Sequence, residues 1–243
     1  MSARTVDWTA TGEPQSGAAR PEGLRERKKR LMRQQLSDTA TEMFVERGFD
    51  SVRVAEVAEA CGVSEKTVFN YFPTKESLVL DRFDVTMASL RTGLAEPGVG
   101  PVQATLRILA GELEAMASWL EAQQDLAGTV AKVQRFDALI QSTPALRAYQ
   151  LAEQDKLIDA AAEALAEKAG ISPDEPEPRI AATALIALWD IHFRSLAKHL
   201  AHVRTSADLR RLRPAVTVEV RRAAELLETG LGTFAENSRR PPQ

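Results

Sequence analysis

The stretch from Val54 to Lys75 constrains this chain more than any other. It reads V-A-E-V-A-E-A-C-G-V-S-E-K-T-V-F-N-Y-F-P-T-K, two short helical patterns joined by a turn at Gly62, Val63 and Ser64. Ala58 lies four residues before Gly62 and Val68 six after it. A small side chain at Ala58 lets the second helix cross the first closely. Gly62 reaches a left-handed backbone without a Cβ clash. Val57, Val63 and Val68 supply apolar contacts between the two helices. Ser64 caps the second helix, and Glu65 favours its positive end. The spacing predicts a helix-turn-helix, whose second helix enters the major groove of DNA. The same residues would also serve an ordinary helical hairpin, so the flanks matter.

Upstream, Leu36, Ala40 and Phe44 repeat every four residues, one face of a helix, and Gly48 stands where a C-terminal cap is expected. Downstream, Phe72-Pro73-Thr74-Lys75-Glu76 stops one helix and caps the next. With M-F-V-E-R-G-F-D before it and E-S-L after it, the segment closely resembles the DNA-binding domain of TetR-family regulators. The resemblance covers roughly Arg25 to Asp84, about a quarter of the chain.

With formal net charge −3, the chain needs a local source of basicity to meet DNA. Between Arg20 and Arg33 seven basic residues stand against two acidic ones. Alone this would be a solvated helix start. Beside the motif, Arg25, Lys28 and Lys29 read as phosphate contacts, which predicts salt-sensitive binding.

The rest of the chain reads as helix. Of 243 residues, 44% are hydrophobic and only 5% aromatic, and there is no β pattern. The expected fold is all-α, with about nine helices. The resemblance implies that a three-helix helix-turn-helix DNA-binding domain precedes a C-terminal helical bundle for dimerisation and ligand binding. The domain limits are a flexible arm at 1–23, the DNA-binding domain at 24–84, the C-terminal domain at 85–236 and a frayed tail at 237–243. Trp8 stands apart in the arm.

The second helix is expected to be capped by Asp50 or Ser51. A fourth helix is expected to start at Thr74 and carry Val79, Phe83, Met87, Leu90 and Leu94 as one stripe. The eighth is expected from Arg179 to about Val203, after the proline-rich acidic loop at 172–178. The last is expected from Pro214 to Ala235. The single cysteine, Cys61, reads as a small buried apolar residue. No N-terminal apolar stretch resembles a signal peptide, and no run approaches the roughly 18 apolar residues of a membrane span. A cytoplasmic location without membrane contact is therefore expected.

What the resemblance implies is more specific. The family's contact positions fall on Ser64, Lys66, Thr67, Phe69, Asn70 and Tyr71. Arg53 and Lys75 fall on phosphate-contacting positions. Lys66 can reach a guanine edge or a phosphate, and Thr67 and Asn70 can bond bases. The sequence departs from the commonest pattern at Arg53, Glu65, Lys66 and Phe69, which puts the operator sequence in doubt. The resemblance further implies a homodimer built on the last two long helices, reading a palindromic operator. It also implies a small-molecule effector, unidentified, among the middle helices.

Trp119, Phe136, Tyr149, Trp189 and His192 are the pocket candidates, and ordinary core packing would use the same aromatics. His199 and His202 share a helix face, yet no Cys or carboxylate stands at ligand spacing with them, so no metal is expected. No nucleophile elbow or phosphate loop supports an enzyme, and no cofactor motif is present. Two regulator readings remain: a repressor released by a ligand, or an activator or ligand-independent regulator of the same fold.

Overall fold

A computed structural model describes residues 23–81 and 83–230. Among these residues the chain forms nine α-helices and no strand, as the composition and periodicity require. Almost all of the expected arm, with Trp8, and the expected tail lie outside the described residues.

The first helix, α1 (Leu24–Arg47), buries Leu36, Ala40 and Phe44 on one face. It ends where the Gly48 N–H reaches the Phe44 carbonyl at 2.9 Å. The second helix, α2 (Val54–Ala60), starts later than Asp50 or Ser51 would have it, with Arg53 at its N-cap. The reason is packing: Val52 is fully buried in non-helical backbone, so the chain first dips into the core. The cap comes instead from Glu56, whose carboxylate accepts the Arg53 backbone N–H at 2.8 Å. The third helix is α3 (Glu65–Tyr71).

The expected fourth helix is two elements. A 3₁₀ turn (Glu76–Leu78) comes first, closed by Ser77 donating its hydroxyl to the Thr74 carbonyl at 2.7 Å. The helix α4 (Phe83–Ala95) follows. Leu78 and Val79 belong to the N-terminal core, whereas Leu90 and Leu94 are the buried residues of α4. A continuous apolar period cannot distinguish one buried helix from two elements serving different cores.

Five longer helices complete the chain: α5 (Pro101–Glu121), α6 (Leu126–Ser142), α7 (Pro144–Ala169), α8 (Pro176–Leu200) and α9 (Ser206–Thr229). Pro176 and Pro178 fall inside the first turn of α8 rather than in a loop. Their fixed φ and missing N–H cost nothing where the helix leaves N–H groups unbonded anyway. The start of α9 lies eight residues before Pro214. Thr205 and Asp208 form a reciprocal cap there, with the Asp208 carboxylate accepting the Thr205 N–H at 2.9 Å. Pro214 sits within α9 on its exposed side, where water can bond the carbonyl it leaves free. The Thr-x-x-Asp pattern was the better start signal.

The described chain forms two compact units. One gathers the residues up to Asp84 with Ala131–Ala152; the other holds Val85–Val130 and the chain from Glu153 on. The first has a core of Leu36, Phe44, Phe49, Val57, Val68 and Phe72, closed by Ile140 and Leu146. The second packs α5, α8 and α9 together through Leu109, Leu113, Leu188, Leu196, Val216 and Val220.

Two polar clusters join the helices of the second unit. Arg213 on α9 reaches Glu114 on α5 at 2.6 Å and Glu121 at 3.4 Å. Glu219 on α9 accepts Ser195 and Lys198 at 2.7 Å and meets His199 at 3.0 Å, all three on α8. By length and composition α8 could cross a membrane, which corrects the expectation that no run qualifies. Its Leu185, Ile186, Leu188 and Leu196 are buried within the second unit, the behaviour of a core helix.

Candidate DNA-binding surface

The turn between α2 and α3 is closed by backbone bonds alone. Val63 N–H reaches the Ala58 carbonyl at 2.9 Å and Gly62 N–H the Glu59 carbonyl at 3.0 Å. Gly62 has φ +68°, the left-handed value its missing Cβ permits. Ala58, Val57 and Val68 are buried where the two helices meet. Ser64 caps α3 by accepting the Thr67 N–H at 3.1 Å, and the two hydroxyls bond each other at 2.8 Å.

With one face of α3 fixed by Val68, the opposite face is open. Lys66, Phe69 and Asn70 are exposed, Phe69 by 43%. Their i, i+3, i+4 spacing places them side by side. Thr67 and Tyr71 flank them, half-buried, and Ser64 is exposed at the N-terminal end. Arg25, Lys28 and Lys29 are all exposed in the first turns of α1. Arg53 is exposed too, its guanidinium 3.6 Å from Glu56.

The structure gives two of the basic side chains different work from the one expected. Lys75 does not present a free ammonium. It donates to the Phe49 carbonyl at 2.6 Å and lies over the Phe49 ring at 4.3 Å and the Phe44 ring at 5.4 Å. It braces the segment leading into α2, because rings and a carbonyl together replace the water an ammonium loses. Arg33, counted with the basic cluster, donates to the Tyr71 carbonyl at 2.7 Å and stacks over Phe72 at 4.4 Å. A cation at the last carbonyls of α3 suits the negative end of that helix. The signal was present in the sequence: Arg33 lies three residues before Leu36, on the core-facing stripe.

Glu56 was also missed. It receives Arg47 at 2.6 Å as well as the Arg53 N–H. The Arg53 backbone bond, then Arg47, hold its carboxyl down at about 2.

The five pocket candidates divide between the two units. Phe136 and Tyr149 belong to the first unit, where Phe136 packs against the core. Trp119 is half-buried on α5, and Trp189 is buried on α8 with its indole N–H 3.4 Å from Glu112. His192 alone lines a hollow of about 140 Å³ between α5, α8 and α9.

Residues 36–81 match the family model described as bacterial regulatory proteins, tetR family, and residues 128–231 match the MftR C-terminal domain. The chain belongs to the TetR family of transcriptional regulators. This family binds DNA through the helix-turn-helix and is not one of enzymes.

Among similar proteins, the HTH-type transcriptional regulator TcmR of Streptomyces glaucescens is 29% identical over 165 residues, 63% of this chain and 67% of that one. The HTH-type transcriptional regulator LuxR of Vibrio harveyi is 51% identical over 47 residues, 19% of this chain and 23% of LuxR. The LuxR match thus spans about a quarter of that relative's length. A crystallised TetR-family regulator from Mesorhizobium loti is 15% identical, covering 82% of this chain and 98% of its own, with a TM-score of 0.45.

Proposed function

We propose that this TetR-family chain is a cytoplasmic, homodimeric repressor that grips a palindromic operator and is released from it by a small molecule. The observation that carries the reading is the split character of α3. Val68 locks one face into the core, and Lys66, Phe69 and Asn70 stand free on the other. Residues 24–84 are read as the DNA-binding domain, and 85–236 as the domain for dimerisation and effector binding.

The exposed side chains of one seven-residue helix offer too few contacts to choose a site in a genome, and pairing two copies on two half-sites supplies the rest. An unpartnered face on α8 supports that pairing. Ile180, Thr183, Ala187 and Ile191 are exposed at helical spacing, Ile180 by 68%. On α9, Val218 is exposed by 62%. Apolar stripes of this kind suit a protein interface better than water. Release by a ligand requires that it bind the DNA-free state more tightly than the DNA-bound one.

The test combines two measurements: footprinting of the full chain on DNA flanking its own gene, with and without a metabolite extract, and its mass in solution. A two-fold-symmetric footprint from a dimer, lifted by the extract, is expected. A monomer, or an absent or asymmetric footprint, would overturn the dimeric-operator reading. A footprint indifferent to the extract would overturn ligand release.

A further inference from the structure

We infer that the hollow between α5, α8 and α9 binds a small carboxylate with a short apolar body. This rests on the ligand-release reading for its regulatory meaning, but the site stands on its own geometry. The walls are apolar: Leu109 and Leu113 come from α5, Val216 and Val220 from α9. Most of the polar lining groups are already occupied. Arg107 pairs with Glu96 at 3.2 Å, Gln103 reaches Glu228 at 3.4 Å, and Thr217 donates to the Arg213 carbonyl at 2.8 Å.

Two polar lining groups are not occupied. His192 is only 2% exposed, lines the hollow, and has no hydrogen-bond partner among the described residues. Burial lowers its pKa to about 4, so near pH 7 it is a neutral imidazole with one N–H to give. A ligand in the hollow can take the hydrogen bond that no neighbouring side chain takes from the imidazole. Arg221 also lines the hollow, is exposed, and has no carboxylate partner among the described residues.

A guanidinium and a neutral donor around apolar walls select a single anionic head with a hydrocarbon behind it. A neutral ligand would leave Arg221 unused, and a multiply charged one would meet the nearby Glu96 and Glu228. Sites for drug-sized ligands begin at ~300 Å³. At about 140 Å³ this hollow takes a smaller molecule.

The chain has three histidines, so ¹⁵N-histidine labelling reports on the site directly. Assignment follows from His192→Gln. The full chain is titrated with sodium hexanoate and sodium benzoate, and with 1-hexanol and benzyl alcohol as neutral counterparts. Saturable shifts of the His192 imidazole are expected with the carboxylates and not with the alcohols. Arg221→Gln is expected to weaken carboxylate binding at least tenfold at an unchanged melting temperature, and Arg221→Lys to restore part of it. An unmoved His192, equal binding of the alcohols, or full affinity in Arg221→Gln would each overturn the site.

A parallel measurement on DNA separates the two readings. Carboxylate binding that leaves DNA bound upholds the site and overturns its effector role. DNA released by a metabolite extract while His192 stays unmoved overturns the site and upholds ligand release.

Discussion

The two units put their open chemistry on surfaces of opposite shape. In the first, Lys66, Phe69 and Asn70 of one seven-residue helix stand out from a filled core. In the second, a buried histidine and an exposed arginine line a hollow assembled from three helices. The convex surface is made by local rules: a turn glycine, a capping serine and a valine that sets which way the helix faces. The concave one is made by packing between residues as far apart in sequence as Leu109 and Val220. Local rules leave a mark within one short stretch of sequence; distant packing does not.

The largest test of this contrast concerns the filled core. Phe72→Ala should cost about 3–5 kcal/mol, because a fully buried ring is replaced by a cavity in a close-packed site. Urea denaturation checks it, and a loss under about 1 kcal/mol would mean that the core is not what fixes α3.

Next come the reading side chains. Lys66→Ala and Asn70→Ala should each cost about 1–3 kcal/mol of specific DNA affinity, with no change in melting temperature. Electrophoretic mobility shift against specific and scrambled duplexes measures this.

A pair of arginine and lysine variants sharpens the comparison. Arg33→Ala should lower specific affinity about tenfold, ~1.4 kcal/mol, by loosening the C-terminal end of α3. The slope of log affinity against log salt should stay the same, since Arg33 is spent on Tyr71 and Phe72. Lys28→Ala should instead reduce that slope by about one, the signature of a lost phosphate contact. A reduced slope in Arg33→Ala would return it to the phosphate-binding set.

The smallest expected effect is on pH. The hydrogen bonds from Lys198, Ser195 and His199 hold the Glu219 carboxyl at about 2, below its ordinary 4.5. The charged form is therefore favoured in the folded state. Its contribution is complete above about 4.5 and is lost as pH falls towards 2. Melting temperature should decline across that window, and Glu219→Gln should flatten part of the decline. Equal declines in both proteins would show that the cluster adds nothing.

The sequence disclosed these features unevenly, for the same reason. Helix content, the turn at Gly62 and the Ser64 cap were legible because each depends on neighbours within a few residues. The role of Lys75 was not, because Phe49 and Phe44 reach it through the fold. The packing of Ile140 and Leu146 on the N-terminal core was hidden, since an apolar stripe does not name its partner. The start of α9 was misread for a different reason. Pro214 is a strong local signal, but the Thr205–Asp208 cap lies upstream and overrides it. Among the aromatics and His192 offered as pocket residues, residue type alone could not separate a lining side chain from a core one. Only His192 reaches the hollow.

The most direct test of the central claim compares the wild-type chain with a Lys66→Ala, Asn70→Ala double variant on its footprinted DNA and on a scrambled duplex. The variant is expected to keep its melting temperature and its weak affinity for the scrambled duplex while losing preference for the footprinted site. A double variant that still prefers its site as strongly as the wild type would contradict it.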